Sequence, residues 1–299
     1  MKGKPHPILA VVTILGIAVL VLGVVITLIF AIAGPTGTLS LKEKIGVVPV
    51  EGAITESDTI VSQLVQFKKD RGIRAIILRV NSPGGGVGPS QEIYREIRKT
   101  IQKKRVIASM GSVAASGGYY ISSAANKIIA NPGTLTGSIG VLMEFVRLQD
   151  LMQKVGVEME VLKSGEFKDI GSPYRKLTER DRELIQALIL EIQKQFVEAV
   201  AQGRDLPVEK VREIADGRIL SGAQGKELGL VDELGNFEDA VELAKSMAGI
   251  KGEVTLVYPK KGGIKLWDLL FEDGSRALYR ALRKVADTRV EYRWDGLPY

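Results

Sequence analysis

Three glycine-rich stretches hold the residues whose types and spacing can do chemistry. The first, Asn81-Ser-Pro-Gly-Gly-Gly86, directly follows an apolar run ending at Val80. Glycines there let the backbone turn sharply and aim bare N–H groups at one place, which suits an oxyanion. A nucleotide phosphate fits poorly. Gln91 stands three residues after Gly88, where Gly-x-Gly-x-x-Gly needs glycine, and no Gly-Lys-Ser/Thr follows. The second stretch, Met110-Gly-Ser-Val-Ala-Ala-Ser-Gly-Gly-Tyr-Tyr120, follows another apolar run and leads into a helical segment. A serine on such a strand-to-helix turn stands exposed beside the next residue's N–H, and Ser116 with Gly117 fits that role. Ala114 takes the first position of the literal Gly-x-Ser-x-Gly pattern, so Ser116 also reads as a small residue for close helix packing. The third stretch is Thr136-Gly-Ser-Ile-Gly-Val141.

A serine nucleophile needs a base, and composition narrows the choice. The chain has no cysteine and a single histidine, His6, among its first residues. Thiol nucleophiles, disulfides, thiolate metal sites and Ser-His-Asp triads are thereby excluded from the body of the chain. What remains is a carboxylate, a tyrosine or a lysine deprived of its charge. Bringing a lysine from its ordinary pKa near 10.4 to about 7 costs roughly 4–5 kcal/mol, which only a desolvating pocket sustains. Lys127, Lys163, Lys168 and Lys176 all lie within reach by sequence, and residue type alone does not choose among them.

Short β-branched runs alternate with helical segments around these stretches. Ile45–Val50, Ala75–Val80, Val106–Met110, Lys127–Ala130 and Glu158–Leu162 read as strands, the second and third too apolar to be buried on one face only. Ser57–Arg71, Pro89–Lys104, Ser116–Ala125 and Phe145–Val155 read as helices between them. A long helix starts at Thr178, where Thr178-Glu-Arg-Asp181 has the form of a capping box. Ser221 and Asn236 open two more, leading to a strand at Val254–Tyr258. Strand and helix in alternation imply an α/β fold with a parallel-rich core.

The domain reading is a tail at 1–7, a transmembrane helix at 8–33, a linker at 34–41, a catalytic domain at 42–260 and a C-terminal tail at 261–299. The stretch from Ile8 to Ala33 carries no charge, and at ~1.5 Å per residue it exceeds a hydrocarbon core of ~30 Å. It is longer than the ~7–15 apolar residues of a cleaved signal peptide, which Ala31-Ile-Ala33 otherwise imitates. Lys2 and Lys4 lie nearer the span than Lys42 and Lys44, favouring a cytoplasmic N-terminus and an extracytoplasmic body. Net charge is +6 without a long basic run or an arginine–aromatic platform, so the bilayer is the expected partner and nucleic acid is not. In the tail, Leu266, Leu269, Leu270, Leu278, Leu282 and Val285 make an apolar stripe opposed by arginines, as in an amphipathic helix.

The three glycine-rich stretches, followed by Ser164-Gly-Glu-Phe-Lys-Asp169 and Asp216-Gly-Arg-Ile-Leu-Ser-Gly222, resemble the signal peptide peptidase A family in order and spacing across roughly residues 44–250. That resemblance implies a membrane-bound Ser-Lys serine endopeptidase on a crotonase/Clp-like fold, in its single-domain form. Carried over by motif, Ser116 is the nucleophile, Lys168 the general base, Gly85 and Gly117 the oxyanion-hole donors, and Ser138 the residue that orients the lysine. It further implies no cofactor and no metal, remnant signal peptides and other apolar peptides as substrates, and a homo-octamer whose active sites form between neighbouring subunits. Two other readings stand beside it. One is a crotonase-like acyl-CoA hydratase or isomerase, whose chemistry needs neither an elbow serine nor a lysine base. The other is a stomatin-associated-type membrane protease or a non-catalytic scaffold that keeps the fold while losing the dyad, and retention of both Ser116 and Lys168 speaks against the scaffold.

Overall fold

The computed structural model describes residues 7–32, 43–259 and 290–293. They fall into two units, within 1–42 and 43–299. In the first, Pro7–Ile32 is one helix, α1. Its residues from Val11 to Leu28 are apolar enough and long enough to cross a membrane, and none is buried. A helix that is apolar on every side has no face suited to water, so α1 fits a membrane anchor. The expected linker at 34–41 and the apolar stripe from Leu266 to Val285 lie outside the described residues.

The second unit runs β1 (Glu43–Glu51), α2 (Asp58–Lys69), β2 (Ile73–Ser82), β3 (Gly84–Gly86), α3 (Val87–Thr100), β4 (Arg105–Ala115), α4 (Gly117–Ser123), β5 (Lys127–Ala130), β6 (Leu135–Gly137) and β7 (Leu142–Met143). It continues with α5 (Gln149–Lys154), α6 (Glu179–Arg204), α7 (Val208–Ile214), β8 (Ile219–Ser221), α8 (Gly222–Glu227), β9 (Glu233–Leu234), α9 (Phe237–Ala248), β10 (Val254–Val257) and β11 (Val290–Arg293). The main sheet has the order β10-β1-β2-β4-β5-β9, with β6 on the far end of β4 and β8 beyond it. Every pair in it is parallel except β6 with β8.

A parallel sheet is covered on both faces, and the period of two along its strands shows how. Ala75 and Ile77 of β2 and Ile107 of β4 point to the side closed by Ala240, Val241 and Ala244 of α9. Ile76, Leu78 and Val80, with Val106, Ala108 and Met110, point to the other side, against α2, α3, α4 and α6. The larger core lies there, under the catalytic candidates. Three helix starts hold as capping boxes: Thr178 with Asp181, Ser221 with Gln224, and Asn236 with Asp239.

The expected strand at Glu158–Leu162 is not formed. Residues 157–163 have no regular structure. Val157, Met159 and Val161 do alternate as a strand would, but they are 46%, 53% and 47% exposed, and the segment pairs with no other strand among the described residues. Alternation supplies a face, and a strand also needs a neighbour. The expected helix at Phe145–Val155 shortens to Gln149–Lys154 for a related reason: none of its residues is buried to anchor it.

Candidate active site

β4 does not stop at Met110 as its apolar run suggests. It continues to Ala115 and delivers Ser116 to the edge of the core. The extension depends on the first glycine-rich stretch. The Asn81 side chain accepts a hydrogen bond from Val113 N–H at 3.2 Å, where the β2–β4 register shifts between Val80 and Ser82. The third stretch holds the other side. Thr136 Oγ1 donates to the Ala114 carbonyl at 2.8 Å, while Thr134 Oγ1 donates to that of Gly111 at 2.7 Å.

Ser116 stands at the junction of β4 and α4 with φ 53° and ψ −117°. A left-handed backbone at a non-glycine residue costs about 1–3 kcal/mol. Two hydrogen bonds, each contributing roughly 0.5–1.5 kcal/mol, offset it: Ser116 N–H to the Gly137 carbonyl and Tyr120 N–H to the Ser116 carbonyl, both 2.8 Å. Ser116 is 1% exposed. Ser138, next after Gly137, likewise has positive φ, 49°, and is held by its N–H on the Arg218 carbonyl at 2.8 Å.

The backbone donors converge beside the serine. Gly117 opens α4, where the N–H has no acceptor within the helix. A β-carbon on Gly117 would lie 3.1 Å from the Gly85 nitrogen. Ile54 N–H donates to the Gly84 carbonyl and Gly86 N–H to the Ile54 carbonyl, both 2.8 Å. The intervening Gly85 therefore turns its own N–H to the opposite edge of β3, the side where β11 lies. β3, β11 and β7 form a second, antiparallel sheet.

Lys168 is elsewhere. It is exposed, in an irregular segment, and among the described residues no hydrogen bond joins it to Ser116 or to Ser138. The motif around it is braced by α6 and the loop before it. Arg180 pairs with Glu166 through both carboxylate oxygens, at 2.9 and 2.7 Å, and lies over the Phe167 ring at 5.4 Å. Asp169 receives Arg175 and Lys163, each at 2.8 Å, and Arg175 also holds the buried Asp181 of the Thr178 capping box. Arg175, then Lys163, hold the Asp169 carboxyl well below the usual carboxylate range. Arg175 and the Thr178 N–H bring Asp181 down to about 2. Both pKa values are depressed on folding, so this bracing is complete above the ordinary carboxylate range near 4 and is lost only as pH falls toward 2. Of the alternative bases, Lys163 is engaged with Asp169, and Lys127 pairs with Asp232 at 2.9 Å. Lys168 and Lys176 have no carboxylate partner among the described residues.

Sequence reasoning passed over Arg175 and an aromatic pocket next to the serine, built by Tyr94, Tyr120 and Phe196. Tyr119 and Tyr120 in the motif were its only local signal. Burial pushes the phenols of Tyr94 and Tyr120 up, so both stay neutral.

A serine held in a strained turn over two converging N–H groups can attack a carbonyl and stabilise the resulting oxyanion. On a parallel-rich sheet of this kind, the class is that of a Clp-like serine protease. Residues 39–134 match the model of Clp protease, and residues 98–251 match that of peptidase family S49. The chain belongs to peptidase family S49. A protein named as a protease in Synechocystis sp. is 45% identical over 212 residues, covering 71% of this chain and 76% of that one. One named as the signal peptide peptidase SppA in Enterococcus faecium is 39% identical over 200 residues, 66% of this chain and 58% of that one. The chloroplastic serine protease SPPA of Arabidopsis thaliana is 33% identical over 270 residues, 87% of this chain and 40% of that one. The chain thus spans less than two thirds of the length of the latter two.

Proposed function

We propose that this chain is a membrane-anchored serine endopeptidase that hydrolyses signal peptides and other apolar peptides through a dyad of Ser116 and Lys168. The observation that carries the reading is Ser116 at φ 53° with the Gly117 and Gly85 nitrogens beside it. Neutral Lys168 takes the proton of Ser116 as its Oγ attacks a peptide carbonyl, and the N–H groups of Gly85 and Gly117 meet the developing oxyanion. The protonated lysine then donates to the leaving amine, and water releases the acyl group. Ser138 orients the lysine. The chain is anchored by α1 with its body outside the cytoplasm, where apolar peptides remaining in the bilayer are within reach.

The serine of each site is completed by the lysine of a neighbouring copy, in a head-to-tail ring of eight. Within one chain, Ser116 is 1% exposed while Lys168 stands exposed and, among the described residues, has no carboxylate partner and no hydrogen bond to Ser116, which supports this division. The exposed Val157, Met159 and Val161 offer a neighbour an irregular segment of alternating apolar residues, and Leu184 and Leu188 extend an apolar surface along α6 at 48% and 45% exposure. Burial of the lysine at such a junction supplies the desolvation that a lysine base requires.

The test is complementation. Ser116→Ala and Lys168→Ala subunits are each expected to be inactive as pure rings. Assembled together at random, about a quarter of head-to-tail junctions pair an intact serine with an intact lysine, so peptidase activity should return to roughly a quarter of wild type. Co-assembled rings that stay inactive place the dyad within one chain and overturn the shared site.

A further inference from the structure

The turn at residues 137–140 touches both halves of the dyad. The Gly137 carbonyl accepts the Ser116 N–H at 2.8 Å, and Ser138 follows directly. Gly137 and Ser138 have φ of 73° and 49°, and at a serine such a backbone persists only where the surroundings impose it. β8 supplies part of that constraint. Gly137 is in register with Ile219, the Arg218 carbonyl accepts the Ser138 N–H at 2.8 Å, and a β-carbon on Gly137 would lie 3.1 Å from that same oxygen. Gln193 of α6 supplies the rest. Its Nε2 donates to the Ile139 carbonyl at 3.2 Å and to the Ala215 carbonyl at 2.7 Å. Ala215 caps the end of α7 and directly precedes Asp216-Gly-Arg218. One amide therefore ties the turn that carries Ser138, and the turn whose Arg218 holds Ser138, to a single helix.

We propose that Gln193 is a positioning residue for peptide hydrolysis: it fixes the 137–140 turn, and through that turn the place of Ser116 and the orientation that Ser138 gives the lysine. This rests on the Ser-Lys peptidase reading. A side-chain amide has two N–H groups in one plane, and both are used here on backbone carbonyls. The Gln193 Oε1 is buried and has no hydrogen-bond partner among the described residues. A buried oxygen left without a partner destabilises a fold, and turning the amide over would only set that oxygen against two carbonyls. What Gln193 contributes is therefore its two donated bonds. Docking of the helix does not need them, because Phe196, Val197 and Val200 of α6 are buried in the core. The Asp216–Arg218 pair in the neighbouring turn is the weaker constraint. The Asp216 carboxylate receives the Arg218 N–H at 3.0 Å and its guanidinium at 2.6 and 2.8 Å, but the two side chains are 54% and 52% exposed, where an ion pair contributes little.

Steady-state kinetics of the assembled full chain, with rates expressed per serine titrated by a fluorophosphonate, tests this. Gln193→Leu removes both donated bonds at similar size. Its kcat should fall at least about tenfold with KM within about twofold of wild type, since a misplacement on the order of 1 Å in a catalytic group can cost about 10²-fold. Gln193→Glu sets a carboxylate against the two carbonyls and should be slower still. Gln193→Lys donates to both carbonyls again, so it should return kcat to within about threefold of wild type. A Gln193→Leu chain that turns over at the wild-type kcat per titrated serine overturns the proposal while the peptidase reading stands. So does a Gln193→Lys chain as slow as Gln193→Leu. Should Gln193→Leu fail to fold or assemble, equal kcat in Gln193→Lys and Gln193→Glu overturns it instead. A wild type that hydrolyses no peptide removes the peptidase reading and this inference together.

Discussion

Ser116→Ala is expected to lower kcat/KM for peptide hydrolysis by about 10⁴-fold or more, because the residual rate then depends on the oxyanion donors and substrate binding alone. Stability should barely move. No hydrogen bond of the Ser116 hydroxyl is recorded among the described residues, and the backbone contacts to Gly137 and Tyr120 that hold the turn do not involve it. Alanine carries the same left-handed strain as serine, so the change in unfolding free energy should stay within about 0.5 kcal/mol. Peptidase kinetics with urea unfolding of the same preparations checks both halves. Loss of activity accompanied by loss of the fold would remove the inference that Ser116 acts chemically.

The second large effect belongs to the base. Lys168→Arg keeps the positive charge and much of the length, but a guanidinium does not accept a proton near neutrality. Activity should fall by about 10³-fold or more, within the range seen when a member of a nucleophile–base pair is removed. The bracing of the segment should survive, since it is made by Glu166, Phe167 and Asp169 with Arg180, Arg175 and Lys163. Lys163→Arg is the control. Its partner is the Asp169 carboxylate at 2.8 Å, a contact arginine can replace, so activity should remain within a few-fold of wild type. Equal losses in the two variants would show that positive charge in this segment, and not proton transfer at Lys168, is what the reaction uses.

How much of this was legible beforehand follows from the range of each signal. β1, β2 and β5 and the helices opening at Thr178, Ser221 and Asn236 were readable because a strand's burial and a helix cap are written in adjacent residues. The elbow was readable for the same reason: Ser116, Gly117 and the apolar strand before them are contiguous. β3 was not, since three glycines have no period, and neither was its pairing with Tyr292 far along the chain. The Arg175 link between Asp169 and Asp181 escaped because an arginine in a polar loop reads as a solvated side chain until both carboxylates are placed. Glu158–Leu162 failed in the opposite direction. There the local period was genuine, and the partner that would turn it into a strand is missing from the described chain.

The claim on which the rest depends is that Ser116 is the nucleophile of a serine peptidase. Its most direct measurement is titration with a fluorophosphonate, which phosphonylates an activated serine and spares ordinary hydroxyls, followed by peptide mapping of the adduct. One adduct per active site is expected, located on Ser116, with peptidase activity falling in proportion to labelling and no adduct on Ser116→Ala. Activity that persists in fully labelled protein, or that is lost with the adduct on another residue, would contradict it.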